Sequence, residues 1–234
     1  MIEIQCLASG SSGNAYFIDC DSPLLLEAGI SWKLIQQELN FQTSRLEGCL
    51  VSHGHLDHCK SVKDVVKAGI DCYMSTQTAE VIGVSSHRIK PMRALEKFKI
   101  GSWTILPFDT IHDAPGSLGF LMASQSGEKT LYLTDTAYCR YRFNGLTHIM
   151  VECNYSMDIL RENIANGSVP VELKNRLLMT HFSLENVKDF LRANDLSKVQ
   201  EIWLLHLSEG NSNAARFKRE IQQLTGKPVY IAGE

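Results

Sequence analysis

Short apolar runs broken by glycine, serine and proline fill the first part of the chain. Ile2–Ala8, Ala15–Asp19 and Leu24–Glu27 read as strands, because turn-forming residues bound each run. The period then changes: Ser31–Leu39 has helical spacing, with Ile30, Leu34 and Ile35 on one side. Gly48–Ser52 predicts a brief buried strand that runs straight into His53. Val62, Val65, Val66 and Ile70 predict a short amphipathic helix behind it.

Residues 101–134 read as a meander of Trp103–Phe108, Leu118–Ala123 and Thr130–Thr134, with turns at Pro115-Gly116 and Ser126-Gly127. Beyond it the pattern alternates. Strands are expected at His148–Glu152, Arg176–Thr180, Glu201–His206 and Val229–Ile231. Helices are expected near Met157–Ala165 and at Leu184–Ala193 and Asn213–Leu224. Meandering strands followed by alternating strands and helices predict an α/β fold of two mixed sheets with helices on the outer faces, an αββα sandwich. No repeat, charge block or low-complexity linker divides the chain, so residues 1–234 are expected to form one domain.

Composition narrows the function. With 44% hydrophobic and 21% charged residues, the chain is of ordinary globular type rather than disordered or fibrous. Its 23 Lys and Arg against 26 Asp and Glu give a net charge of −3, which argues against a basic nucleic-acid-coating surface. A local basic groove stays open. No apolar run approaches the roughly 18–20 residues of a membrane span, and Met1–Cys6 carries no signal-peptide pattern. The seven cysteines include no CxxC pair, which predicts free thiols in a reducing cytoplasm.

The densest chemistry is His53-Gly54-His55-Leu56-Asp57-His58, directly after the strand that ends in Ser52. In extended chain His53 and His55 point to one side, because the side-chain period of a strand is two. Asp57 and His58 fall where the chain turns into the next helix. Three imidazoles and a carboxylate in so short a loop are donors suited to Zn, Mn or Fe.

This HxHxDH motif resembles the signature of the metallo-β-lactamase superfamily. Ser9–Asn14, Leu25-Leu26-Glu27-Ala28-Gly29 and Leu131-Tyr132-Leu133-Thr134-Asp135-Thr136 resemble its small phosphodiesterases, which include YycJ-like exonucleases, tRNase Z and the phage anti-Pycsar proteins that degrade cyclic mononucleotides. The similarity runs over about residues 1–215. It implies two divalent ions, Zn or Mn. His53, His55, His112 and Asp135 would ligate one; Asp57, His58, Asp135 and His206 the other. It also implies that His181 acts as a non-ligand histidine on the leaving oxygen. Glu152, ending its own strand in Val151-Glu152-Cys153-Asn154, is expected to orient His181 through a ring N–H, and Asp57 is counted with these two as catalytic. A helix-capping role for His181 stays open, and the family glycine before it is replaced by Thr180. Tyr155 stands where many relatives carry another histidine. His87 and His148 match nothing in the family.

Two ions about 3.5–4 Å apart would hold a bridging hydroxide for in-line attack on phosphorus. Ser11 and Asn14, in a loop that reads equally as a plain turn, are expected to hold a phosphate. Arg140 and Arg142, in Tyr138-Cys139-Arg140-Tyr141-Arg142, are expected to pair with it. The expected substrate is a small nucleotide, with a cyclic mononucleotide ahead of DNA. A DNA exonuclease and a non-catalytic metal-bearing binder are the alternatives. The resemblance further implies a homodimer.

Overall fold

The computed structural model describes residues 2–234, so Met1 lies outside the described residues. The chain divides into two compact units. The first holds residues up to Asp109 together with Ala114–Glu128; the second holds Thr110–Asp113 and Lys129–Ala232.

In the first unit, β1 (Glu3–Ala8), β2 (Ala15–Asp19) and β3 (Leu24–Leu26) pair antiparallel. After α1 (Trp32–Glu38), β4 (Gly48–Leu50) joins β3 in parallel. Then follow α2 (Leu56–Cys59), α3 (Val62–Lys67), β5 (Cys72–Ser75), α4 (Thr76–Ile82) and β6 (Ile89–Met92). These strands make a six-stranded mixed sheet in chain order. Leu25, Cys49, Cys72 and Met74 pack there against Ile35 of α1 and Val62 and Val65 of α3. An antiparallel meander of β7 (Phe98–Ile100), β8 (Trp103–Asp109) and β9 (Leu118–Ala123) completes the unit.

In the second unit β10 (Lys129–Leu133) and β11 (His148–Glu152) are parallel. Helices α5 (Met157–Ala165), α6 (Val171–Thr180) and α7 (Leu184–Arg192) follow. The unit ends with β12 (Glu201–Leu205), α8 (Ala214–Thr225) and β13 (Val229–Ile231), both strands parallel to their neighbours. Ser183 and Asn213 cap α7 and α8, accepting from the backbone N–H of Asn186 and Arg216.

One element differs in kind from its expectation: Arg176–Thr180 is the end of a helix, not a strand. The apolar run Leu177-Leu178-Met179 does not alternate between buried and exposed faces. Leu177 enters a small core with Tyr155 and Leu160, whereas Leu178 and Met179 are 36% and 71% exposed. Pro170, at the position before α6, starts that helix early enough to carry the run through it. Residues 72–100 carried no assigned element and hold three strands and a helix. Pro91 weakened the pattern there, and it sits in β6, at the sheet edge where proline is tolerated.

All seven cysteines are free, five buried and two half-buried. Among the described residues no helix is long and apolar enough to cross a membrane.

Candidate metal centre

In the first unit the donors arise where β4 gives way to α2. His53 is 1% exposed, and its Nδ1 lies 2.9 Å from the Ser52 hydroxyl. Its Nε2 lies 3.2 Å from Nδ1 of His55, so the two rings converge as the strand period predicts. Asp57 and His58 follow on α2, with Oδ2 of Asp57 3.4 Å from Nε2 of the buried His58.

Residues remote in sequence clamp this turn. The Asn14 N–H donates to the Asp57 carbonyl at 2.7 Å, and the Ala28 N–H donates to that of His58 at 2.8 Å. Glu27 is fully buried; both its carboxylate oxygens accept the Ser52 N–H at 3.2 Å, and Oε2 lies 3.6 Å from Nδ1 of His58. Glu27 thus supports both ends of the histidine loop, a role its apolar neighbours hid in the sequence. Asn14 is buried, with its amide nitrogen 3.1 Å from Nε2 of His58 and 3.4 Å from Oδ2 of Asp57. Ser11, in the same loop, is exposed.

In the second unit the donors stand at strand ends. Asp135 follows β10, Glu152 ends β11, and His206 follows β12. Donor atoms of Asp135, Glu152, His181 and His206 all lie within 4.8 Å of one another. Glu152 is fully buried and accepts from the N–H groups of Thr136 at 3.1 Å and Phe182 at 3.0 Å. It also accepts from Nδ1 of His181 at 2.5 Å. Burial pulls the His181 pKa down, but the Glu152 charge and hydrogen bond, aided by Asp135, outweigh it and raise the value to about 9.

His112 has the opposite balance. Burial is the largest influence and lowers its pKa, against the nearby Asp135 carboxylate. Its Nδ1–H donates to the Thr180 carbonyl at 2.9 Å, which leaves a lone pair on Nε2, 3.7 Å from Oδ2 of Asp135. Two electron-pair donors facing each other at that distance fit a bound cation. His206 is held through Asn154, whose amide nitrogen lies 3.1 Å from Nδ1 and donates to the His206 carbonyl at 2.9 Å. Such outer contacts fix ring orientation and tautomer in metal sites.

Backbone strain marks the same residues. Glu27, Asp135 and His206 hold φ of 63°, 45° and 52°, a region that non-glycine residues seldom occupy. Arg140 and Arg142 are exposed, and the Arg140 guanidinium lies over the Tyr141 ring at 5.2 Å. Tyr155 is buried in the core beside α5, and burial pushes its hydroxyl up to about 12.

Histidine and carboxylate donors at the ends of strands in a mixed α/β fold are a donor set suited to a divalent metal. Residues 24–206 match the family described as "Beta-lactamase superfamily domain", and the chain belongs to the metallo-β-lactamase superfamily. The exodeoxyribonuclease WalJ of Streptococcus pneumoniae is 30% identical over 224 residues, covering 88% of this chain and 81% of that protein. The exodeoxyribonuclease YycJ of Bacillus anthracis is 26% identical over 254 residues, covering 100% of this chain and 92% of that one. The fold, two mixed sheets with helices, matches that of the metallo-β-lactamase fold protein YhfI from Bacillus subtilis. The TM-score is 0.74 at 13% identity, over 99% of this chain and 96% of that one.

Proposed function

We propose that this hydrolase is a metal-dependent phosphodiesterase that cleaves a nucleotide phosphodiester bond, with a cyclic mononucleotide as its leading substrate. The observation that carries the reading is the buried Glu152 carboxylate holding Nδ1 of His181 beside Asp135 and His206.

Following the family resemblance, His53, His55, His112 and Asp135 are assigned to one divalent ion, and Asp57, His58, Asp135 and His206 to a second, each Zn or Mn. Such ions supply Lewis acidity toward a phosphoryl oxygen and lower the pKa of water. The protein's own residues handle the proton. With Nδ1–H fixed on Glu152, whose charge favours the protonated ring, His181 offers Nε2–H to the departing ribose oxygen. Glu152 acts through His181, and Asp57 serves both as a ligand and in the catalytic set. Exposed Arg140 and Arg142, with Ser11 and Asn14 in the first loop, are assigned to the substrate.

The net charge of −3 and the absence of a Lys/Arg run favour a small nucleotide over a long polyanion. A 5′→3′ DNA exonuclease is the second reading, favoured by the two exodeoxyribonuclease relatives. Both readings place residues 1–234 in one cytoplasmic domain. The homodimer implied by the resemblance is tested by light scattering at micromolar concentration.

One assay separates the substrates. Metal-loaded protein and His55→Ala are given the four 3′,5′-cyclic mononucleotides and a 5′-phosphorylated DNA duplex. Release of mononucleotide from the cyclic compounds alone, abolished in His55→Ala, supports the leading reading; degradation of the duplex alone replaces it with the exonuclease. A wild type inert on all five sinks both.

A further inference from the structure

Arg176 is anchored at one corner of its guanidinium. Its Nε donates to Oδ2 of Asp113 at 3.3 Å, and its η nitrogens make no hydrogen bond or ion pair among the described residues. The side chain is 59% exposed. At the other end of the Asp113 carboxylate, Oδ1 lies 3.3 Å from Nε2 of His112, the ring atom that carries the lone pair. The guanidinium thus stands one carboxylate away from a metal-ligand histidine.

The last turn of α6 ties this arrangement together. One turn beyond Arg176, the Thr180 hydroxyl donates to the Arg176 carbonyl at 2.8 Å, while the Thr180 carbonyl accepts Nδ1–H of His112. The chain then passes directly into His181, whose protonation the Arg176 charge opposes. One helix end therefore orients His112, delivers His181 and carries a cation beside both. A half-exposed ion pair such as Arg176–Asp113 contributes little to folding, on the order of 0–1 kcal/mol. Its geometry points instead to a ligand. A guanidinium held by Nε keeps both η groups for the two parallel bonds that match a phosphate.

We infer that Arg176 binds non-bridging phosphate oxygens of the nucleotide substrate through its η N–H groups, with Asp113 as the positioning residue that aims it. This rests on the phosphodiesterase reading above.

The test compares metal-loaded wild type, Arg176→Gln and Arg176→Lys in three measurements. These are AMP binding by calorimetry, KM and kcat on the best diester found, and metal content. In Arg176→Gln, AMP affinity is expected to fall and KM to rise by about 10- to 100-fold, as loss of charge-assisted hydrogen bonds predicts. Metal content should stay at the wild-type level and kcat should change less than KM. Arg176→Lys, which keeps the charge but loses the fork, should fall between. Unchanged AMP affinity and KM in Arg176→Gln would overturn the assignment. So would a fall in bound metal, which would show that the residue merely supports His112. If wild type hydrolyses no diester yet AMP binding still depends on Arg176, the phosphodiesterase reading fails and the assignment stands. If wild type neither hydrolyses nor binds, both fall.

Discussion

The Glu152 carboxylate and the His181 imidazole share a 2.5 Å hydrogen bond, and the carboxylate is fully buried. The pair stores a pH dependence that can be read without metal. The folded His181 pKa is raised from 6.5 to about 9, so the folded protein holds that proton more tightly than the unfolded chain. The resulting stability, on the order of 3 kcal/mol, is fully present below pH about 6.5 and is lost as pH rises through about 9. Glu152→Gln removes the charge behind it. In metal-free protein the stability gap between wild type and Glu152→Gln should therefore be wide at pH 6 and should narrow by pH 10. Urea unfolding at several pH values measures it, and both proteins share the titrating cysteines. A gap that does not vary with pH would refute this account of the pair.

Gly29 leaves no room for a side chain. A Cβ there would stand 1.7 Å from the carbonyl oxygen of Asp57 and 2.4 Å from its carbonyl carbon. That carbonyl also accepts the Asn14 N–H, and the Gly29 N–H donates to Asn14, so three chain segments cross at one point. Gly29→Ala must push the Asp57 turn of α2 away from the segment after β3 that carries residue 29. Overpacking against backbone of this kind costs about 1–3 kcal/mol, occasionally more. The expected result is a lower melting temperature together with weaker metal binding, because the displaced segment carries Asp57 and His58. Calorimetry and metal analysis of the purified variant check the two effects separately.

Glu27 makes a sharper division between folding and ligation. Its backbone φ of 63° suits glycine, while its carboxylate grips the Ser52 N–H and lies beside His58. Glu27→Gly relieves the backbone but empties the carboxylate site; Glu27→Ala loses both. Both variants should bind metal about 10- to 100-fold more weakly, as removal of outer-sphere partners does elsewhere. Glu27→Gly should melt higher than Glu27→Ala. Equal metal affinity in wild type and Glu27→Gly would deny the carboxylate its supporting role.

What could be read from the chain follows from contiguity. His53, His55, Asp57 and His58 lie within six residues after an apolar run, so their convergence needed only the strand period and one turn of helix. His112, Asp135 and His206 came by resemblance. Their own signal was a polar residue after an apolar run, which many structural residues share. Glu27, Asn154 and Thr180 were not legible as supports. Glu27 sits inside an apolar run, Asn154 acts from the far side of the His206 turn, and Thr180 acts through its carbonyl, which is the same in every residue. Arg176 was hidden for another reason. Taken as a strand, Arg176–Thr180 puts alternate residues on opposite faces, whereas the helix stacks Arg176 and Thr180 one turn apart and brings both beside His112.

Metal loading should be visible as stability before any turnover is measured. Ions that bind the folded chain and not the unfolded one raise its stability by RT ln(1 + [L]/Kd), about 2.7 kcal/mol at a hundredfold excess over Kd. The melting temperature should therefore climb with Zn or Mn concentration and return to its starting value with a chelator. His55→Ala should flatten this rise, because its ring converges on His53 and leaves with the variant. The rise should also shrink as pH falls, since protonated imidazoles cannot ligate. His112 should resist that loss more than an ordinary histidine. Burial lowers its pKa and outweighs the Asp135 carboxylate and the Thr180 carbonyl, which both favour the charged ring, so Nε2 keeps its lone pair to lower pH. Histidine NMR of metal-free protein checks this point: the His112 resonances should titrate below the usual histidine range and those of His181 well above it. The reverse order would mean that the buried carboxylate, not burial, governs His112.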